Sequence, residues 1–379
     1  MGQGASEEVA FALAVAIAIV LAPARAAAID LGPPGIGCAG DGLPSTKAQP
    51  SGLISGAIVP LAGRDVDPQF GDPVAGSGPV LRVLRLGVCG RVAIRHTTLW
   101  YRLVYEPWDE LERARSDASR WGRFTAAEVG WSPWRWLTAW VGIHKVAFAF
   151  GHDEPEGALA IPFRPALSSS IAPDRRLGLT ADVALGAARL TAGFYESARD
   201  LANLPSEGFV VTGRGLIEPL GPVGSSVSTL FDAPEWLRRP RFGLDFSAFY
   251  EYTPNATSWA VGGDVPFKWG PLGVVVEYLY DAGSPIERAN PFASPRVTRQ
   301  GLTAQAAVMV WRPHIELEAR YEWLDEPRPG RDRFHAFTGG LSVYELDGIV
   351  RVQLAYTYKL HAVGAYDDQA ALLALTLQR

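Results

Sequence analysis

The residues of this sequence that could do chemistry are charged side chains repeated at every second position. In the stretch 314–323, His314, Glu316, Glu318, Arg320 and Glu322 alternate with apolar residues. Rows of carboxylates and guanidinium groups can select ions, because charge of one sign attracts ions of the other. The sequence contains no HExxH, paired CxxC, GxxxxGK or GxSxG motif. It therefore indicates electrostatic selection rather than catalysis, without a cofactor or a metal.

Extended strands with two unlike faces must position these charges. From 348 to 361, the apolar residues Val350, Val352, Leu354 and Tyr356 alternate with Arg351, Gln353 and Thr357, with Ala355 as the exception, and a period of two is that of a β-strand. The pattern recurs along the chain and predicts about sixteen strands, near 53–59, 80–89, 91–106, 121–131, 134–150, 174–186, 188–198, 208–218, 241–252, 256–268, 271–281, 297–311, 313–324, 334–345, 348–361 and 366–378. The sequence therefore predicts an all-β fold.

Two kinds of all-β protein fit the composition, a large soluble body and a membrane barrel. Hydrophobic residues make up 48% of the chain, yet beyond the N-terminus no apolar stretch is long enough to be a membrane helix. Strands of outer-membrane barrels are about ten residues long, alternate apolar-out and polar-in, and end in aromatic girdles. Trp259, Trp269, Tyr321 and Trp323 lie near strand ends. The pattern favours a transmembrane antiparallel β-barrel of about 16 strands.

The N-terminus indicates the compartment. The apolar run 10–22 is followed by the small residues of 24–28, which is typical of a signal peptide cleaved near Ala26 or Ala28. A buried or membrane-anchoring helix is the alternative. We expect a signal peptide at 1–28, a Gly/Pro-rich segment with a first strand at 29–79, and a β-barrel at 80–379 in the bacterial outer membrane.

Connection lengths agree with a barrel, because barrels have short turns at one end and longer loops at the other. A short turn is predicted at Gly90, and the segment 151–173 is the third long connection. We expect this segment to fold into the lumen as a constriction, with a mobile surface loop as the alternative. Two connections break the alternation, since 219–240 is long and 253–255 is short.

The chain has two cysteines, Cys38 and Cys89. An oxidising compartment permits a disulfide between them. We predict that it forms and ties the N-terminal segment to the rim of the barrel at the turn after the second strand. Two separate thiols are the alternative, because spacing alone does not establish a bond.

Several segments in a fixed order resemble one known family. They are WLTAWVGIHKVAFA at 136–149, DEPEGAL at 153–159, APDRRLGLTADVALG at 172–186, EPLGPVG at 218–224, LEARYEWLDE at 317–326 and RVQLAYTYK at 351–359. Together they resemble the phosphate-selective porin O/P family of outer-membrane channels over roughly residues 80–378. The resemblance implies a sixteen-stranded barrel that forms a homotrimer, with phosphate or another anion as the preferred solute.

A barrel of this size encloses a lumen wide enough for water and solutes. The predicted pore-lining residues are Arg164 on the 151–173 segment and, by strand parity, Arg176, Arg189, Arg214, Lys268, Arg320, Arg351, Lys359, Asp264, Glu316 and Glu318. Parity adds the acids Asp182, Glu218, Asp245, Glu251, Glu277 and Glu322. Acids slightly outnumber bases and the net charge is −5, so an anion preference must come from local arrangement.

The sequence alone leaves two functions open. The first is a passive diffusion channel for small hydrophilic solutes or ions, with outer-membrane lipid around it. The second is a non-conducting barrel, plugged by 30–79, with a structural, adhesion or hydrolytic role. A nucleic-acid partner is not expected, because the arginines between Arg113 and Arg123 have acids beside them.

Overall fold

The structure, a computed structural model, describes residues 49–61, 78–94, 97–109, 123–154, 159–173, 175–197, 208–230, 232, 238–254, 256–285, 297–325, 333–346, 349–361 and 368–378. The predicted signal peptide at 1–28, the residues up to 48 and Cys38 lie outside these ranges.

Strands make up most of the described chain. They are β1 (Gln49–Leu61), β2 (Gly78–Ile94), β3 (Thr97–Asp109), β4 (Arg123–Trp134), β5 (Leu137–His144), β6 (Arg176–Leu185), β7 (Ala188–Glu196), β8 (Phe209–Ile217), β9 (Arg241–Phe242), β10 (Leu244–Tyr252), β11 (Ala256–Trp269), β12 (Leu272–Pro285), β13 (Val297–Trp311), β14 (Ile315–Asp325), β15 (Phe334–Glu345), β16 (Val350–His361) and β17 (Asp368–Gln378). Two short helices, α1 (Phe150–Asp153) and α2 (Ala166–Ile171), follow β5.

The strands close into a ring. Each long strand pairs antiparallel with the next along the chain, and β8 pairs with β10. The first strand, β1, pairs with both β2 and β17, as at Leu53 opposite Arg85 and Gln378. The two-residue β9 pairs with β11 and precedes β10 by one residue. Sixteen strands therefore form a closed antiparallel barrel, which confirms the predicted fold.

The two faces of the wall are inverted relative to a soluble protein. In β14, Glu316, Glu318 and Arg320 are buried, whereas Leu317 between them is 48% exposed. Phe246 in β10 is 63% exposed, next to the buried Asp245. Apolar side chains outside and charged ones inside are the pattern of a barrel that contacts lipid. Among the described residues, no helix is long and apolar enough to cross a membrane.

The structure corrects two predicted strand ends. The turn expected at Gly90 is wrong, because β2 continues to Ile94 and Cys89 lies buried within the strand. The strand expected to reach 150 ends at His144. Gly142 has a φ of +137°, and a Cβ there would lie 2.1 Å from the carbonyl oxygen of Ala127. Only glycine suits this bend, from which the chain leaves the wall.

Candidate functional site: the interior of the barrel

A first inner segment, residues 145–154 and 159–173, lies inside the barrel. At its start, the Phe150 backbone N–H donates to Asp264 Oδ2 at 3.1 Å, and the Gly151 N–H donates to Glu277 Oε2 at 2.8 Å. At the start of α2, the Ala166 N–H donates to Glu322 Oε1 at 2.5 Å. The inward carboxylates of β11, β12 and β14 thus hold the backbone of the segment that was expected to fold inward.

Two guanidinium groups hold the middle of the same segment. Arg320 Nη1 donates to the Phe163 carbonyl at 2.8 Å, and its guanidinium carbon lies 4.6 Å from the centre of the Phe163 ring. Arg351 Nη1 donates to the Leu159 carbonyl at 2.7 Å. Because hydrogen bonds from charged donors are stronger than neutral ones, these contacts fix the segment against the wall of β14 to β16.

Apolar packing completes the contact with the wall. Phe148 and Leu167 are fully buried in a cluster with Phe249, Leu279 and Leu324, which belong to β10, β12 and β14. The rings of Phe148 and Phe249 meet edge to face, with centres 5.1 Å apart. This side of the barrel is therefore filled like a protein core rather than open to water.

A second inner segment, residues 222–230 and Asp232, enters from the opposite end. It belongs to the connection between β8 and β10, at the end where the other described turns are short. Lys268 Nζ donates to the Ser228 carbonyl and to Asp232 Oδ1, both at 3.0 Å. Arg241 donates to Asp232 Oδ2 at 2.6 Å. The length of 219–240, which broke the predicted alternation, reflects this inward path.

The two inner segments meet at Glu154. Its Oε1 accepts hydrogen bonds from Ser226 Oγ at 2.8 Å and from the Val227 N–H at 3.1 Å. Burial raises the pKa of the Glu154 carboxyl above its usual range, against the opposing effect of these hydrogen bonds and of nearby cations. The Glu154 carboxyl group therefore joins chain from one mouth of the barrel to chain from the other, and Phe150 and Ala160 pack in one apolar cluster with Val227 beside it.

A cavity of about 770 Å³ lies on the other side of the interior. Most of its wall is formed by β2 to β8, with Asp245 of β10 and Pro266 of β11 at one side and with α1 and residues 222–225 facing them. The charged lining residues are six bases and five acids, namely Arg91, Arg102, Arg135, Lys145, Arg189, Arg214, Glu128, Asp153, Asp182, Glu218 and Asp245. The space between the inner segments and the wall is therefore off-centre and lined by charges of both signs.

Two predicted pore-lining bases, Arg189 and Arg214, border this cavity, as do the parity-assigned acids Asp182, Glu218 and Asp245. Arg189 Nε lies 3.4 Å from Asp182 Oδ2, and its side chain is 55% exposed. Arg214 lies between Asp153 and Asp245, 2.5 Å from Asp245 Oδ2 and in direct contact with Asp153. Both bases are thus placed where a solute could meet them.

Other predicted pore-lining residues contact protein groups inside the barrel. Arg164 Nη1 donates to the Gly151 and His152 carbonyls at 3.0 and 2.8 Å. Lys359 Nζ lies 4.4 Å from the centre of the Phe334 ring. Lys268, Arg320, Arg351 and Asp264 hold the inner segments as described above.

The remaining three lie at different depths. Arg176 is 3.9 Å from Glu251 at the long-loop end. Glu316 accepts a hydrogen bond from the Tyr344 hydroxyl at 2.5 Å, and Glu318 is buried beside Gly340. Strand parity thus identified the inward face, but it could not show which inward groups the folded segments cover. That Arg176, Glu316 and Glu318 line an open pore stays a prediction.

The aromatic part of the cavity wall was missed by the sequence reasoning. Trp100 and Trp140 line the cavity together with Arg102 and His144. The same parity rule would have placed Trp100 inside, because it lies two residues before Arg102 on β3. The sequence indicates an aromatic girdle only for tryptophans near strand ends, such as Trp259 and Trp269, and no prediction was made for Trp100 or Trp140.

No metal site accompanies these groups in the part of the chain that is described, since no three His, Cys, Asp or Glu side chains lie close enough to hold an ion. Cys89 is disulfide-bonded and 1% exposed. Its predicted partner, Cys38, lies outside the described residues, so that pairing stays a prediction.

The fold is similar to those of solved outer-membrane porins and channels. The anion-selective porin from Comamonas acidovorans has a TM-score of 0.57 at 11% identity, over 88% of this chain and 99% of that one. The outer-membrane channel DcaP of Acinetobacter baumannii has a TM-score of 0.58 at 11% identity, over 89% and 100%. OmpF of Salmonella typhi has a TM-score of 0.55 at 12% identity, over 88% and 98%.

These identities are low, so the likeness establishes the fold alone. No protein-family model matches the sequence, and no curated protein matches it. The chain therefore has the porin fold, and the resemblance to the phosphate-selective porin O/P family stays a prediction.

Proposed function

We propose that the protein is a bacterial outer-membrane porin, a passive diffusion channel for small hydrophilic solutes or ions. The observation that carries this proposal is the off-centre cavity of about 770 Å³ between the inner segments and β2 to β8. It lies within a closed wall whose outer face is apolar. Solutes then pass along one side of the barrel, and the side chains of that side set the selectivity.

A modest anion preference is part of the proposal. Bases exceed acids by one in the cavity lining, and the lining acids have partners. Asp182 accepts from Thr191 at 2.8 Å, Glu218 from the Val223 N–H at 2.7 Å, and Asp153 and Asp245 contact Arg214. The net excess of positive charge favours anions. Phosphate is the specific anion that the family resemblance suggests.

Planar-bilayer recording of the full chain tests the channel and its preference. Stable conductance steps are expected, with a reversal potential that indicates weak anion selectivity in a salt gradient. Replacing Arg189 and Arg214 with Gln removes two positive charges from the cavity and should shift the reversal potential toward cations. Lys359→Gln, next to the Phe334 ring, is the matched control and should leave it unchanged.

The same recording compares chloride with phosphate. A phosphate preference predicts that phosphate lowers the chloride current at concentrations where sulfate does not. If phosphate and sulfate lower the chloride current equally, the proposal is limited to a general anion preference. A shift in the Lys359→Gln control as large as in the arginine variants would show that the cavity is not the path.

A non-conducting barrel is the second candidate, and the junction of the two inner segments at Glu154 favours it. If these segments close the whole cross-section, bilayers with inserted protein remain silent. The barrel then serves a structural, adhesion or hydrolytic role.

A homotrimer in the outer membrane is also proposed. One similar barrel, OmpT of Vibrio cholerae, is described in a trimer form and has a TM-score of 0.54 at 9% identity over 88% of this chain and 99% of that one. Chemical cross-linking in detergent, with separation of the products by mass, tests whether this chain assembles in threes.

A further inference from the structure

We propose that the cavity wall of β2 to β5 binds a small planar aromatic carboxylate. The ring packs against Trp100 and Trp140, and the carboxylate binds the guanidinium group of Arg91. The inference rests on the proposed function, since it places this binding site along the path of solutes.

The pairing of the strands puts these side chains in one row. Arg91 on β2 is opposite Trp100 on β3, which is opposite Gly130 on β4, which is opposite Trp140 on β5. Residues directly opposite on neighbouring antiparallel strands point to the same face and lie roughly 5 Å apart. A guanidinium group and two indoles therefore lie side by side on the inner wall.

Gly130 makes room for the indoles. A Cβ at this position would lie 2.0 Å from Cε2 of Trp100, so the ring of Trp100 lies across the glycine. The centres of the Trp100 and Trp140 rings are 6.1 Å apart, with the planes tilted by 49°. Both indoles are only partly buried and line the cavity. Their arrangement offers two aromatic surfaces to one small ring.

The charge beside the indoles selects an anion. Arg102, the next inward residue on β3, is engaged by the buried Glu128. Arg91 is exposed in the cavity and has no ion pair within the part of the chain that the structure describes. A guanidinium group can bind a carboxylate through two parallel hydrogen bonds. Arg91 is therefore the group in this row that is available for one.

This combination distinguishes the ligand from simpler solutes. Inorganic phosphate can use Arg91 but gains nothing from the indoles. A neutral sugar can pack on an indole but has no charge for Arg91. A molecule with a ring and a carboxylate next to each other uses both, because Arg91 and Trp100 are neighbours across one strand pair.

Benzoate is the probe, measured as block of the ionic current through the full chain and by titration calorimetry in detergent. Benzoate should block at concentrations where acetate, benzamide and glucose do not. Trp100→Ala, Trp140→Ala and Arg91→Ala should each raise the half-blocking concentration about fivefold, in the range of one aromatic or charged contact. Gly130→Ala should act in the same direction by displacing the Trp100 ring.

Trp269→Ala is the matched control, because Trp269 is 59% exposed on the outer face, and it should leave benzoate block unchanged. Equal block in all variants, or block by acetate as strong as by benzoate, would overturn the proposal. Silent bilayers with heat of benzoate binding that is lost in Trp100→Ala would remove the channel and keep the site. Conductance steps without block or heat would remove the site and keep the channel.

Discussion

Glu154 Oε1 accepts a hydrogen bond from Ser226 Oγ at 2.8 Å, and this bond joins two chain segments that enter the barrel from opposite ends. The Val227 N–H reaches the same oxygen. Neither segment belongs to the ring of paired strands. The interior is therefore a separate layer held by polar contacts and by apolar packing against the wall, so single substitutions in it can change the passage without changing the ring of strands.

Glu154→Gln is expected to keep the junction, and Glu154→Ala to break it. The Gln carbonyl oxygen can accept from Ser226 and Val227, whereas Ala removes the acceptor of the buried Val227 N–H, which costs about 1–3 kcal/mol. The expected result is normal conductance for the Gln variant and larger or noisier steps for the Ala variant. Single-channel recording measures both.

The pKa of Glu154 gives this junction a pH dependence of known sign. Burial raises the pKa of Glu154 in the folded state, because desolvation disfavours the ionised carboxyl. As the pH falls through the raised pKa toward the ordinary value, the folded state takes up a proton first and gains stability. Urea unfolding in vesicles should show this rise for the natural chain, and a smaller one for Glu154→Gln. Glu345→Gln, which changes an exposed acid of β15, is the control and should gain as much stability as the natural chain when the pH falls. An equal gain in the natural chain and in both variants would show that Glu154 does not cause the pH dependence.

Gly273→Ala is expected to displace the second inner segment. A Cβ at Gly273 would lie 1.9 Å from the Val227 carbonyl oxygen, which belongs to that segment. The backbone of β12 cannot retreat without loss of its ladder hydrogen bonds, so the segment must move. The expected result is an altered conductance with the heat stability of the barrel kept. Gly339→Ala is the control, because nothing lies within 4 Å of a Cβ there, and its conductance should be unchanged.

Lipid contact predicts the effect of a charge on the outer wall. Leu354 is 50% exposed near the middle of β16. Leu354→Arg should destabilise the inserted barrel by about 2–4 kcal/mol, the usual penalty for arginine near the bilayer midplane. Leu346→Arg, in the short turn after β15, should change stability by about 0–1 kcal/mol. Urea unfolding in lipid vesicles compares the two, and equal losses would show that Leu354 does not face the lipid interior.

The wall of the barrel could be predicted from the sequence because each strand carries its own signal. Alternation in β14 or β16 depends on neighbours two positions away, so it identifies both the strand and the inward face. The errors fell where a strand end depends on distant contacts. The sequence predicts a turn at Gly90, although this residue lies inside β2. The end of β5 at His144 depends on the bend at Gly142 against Ala127.

The interior could be predicted only in part. The length of 151–173 indicated an inner segment, but its partners Asp264, Glu277 and Glu322 are more than 110 positions away along the chain and have no local signature. The same holds for Lys268, which parity placed in the lumen and which in fact holds Asp232 and Ser228. Inward charge therefore does not by itself indicate contact with solutes.

The remaining prediction concerns the bond between Cys38 and Cys89. Cys89 is buried inside β2 opposite Arg102 rather than at a rim turn, so its bond would draw the N-terminal segment toward the interior. We expect no reaction with an alkylating reagent in the unreduced, urea-unfolded chain and two labelled thiols after reduction, as mass spectrometry would show. A disulfide-linked peptide containing both cysteines is the positive result. Two labelled thiols before reduction, with the Cys89→Ser variant as the reference for one, would exclude the bond.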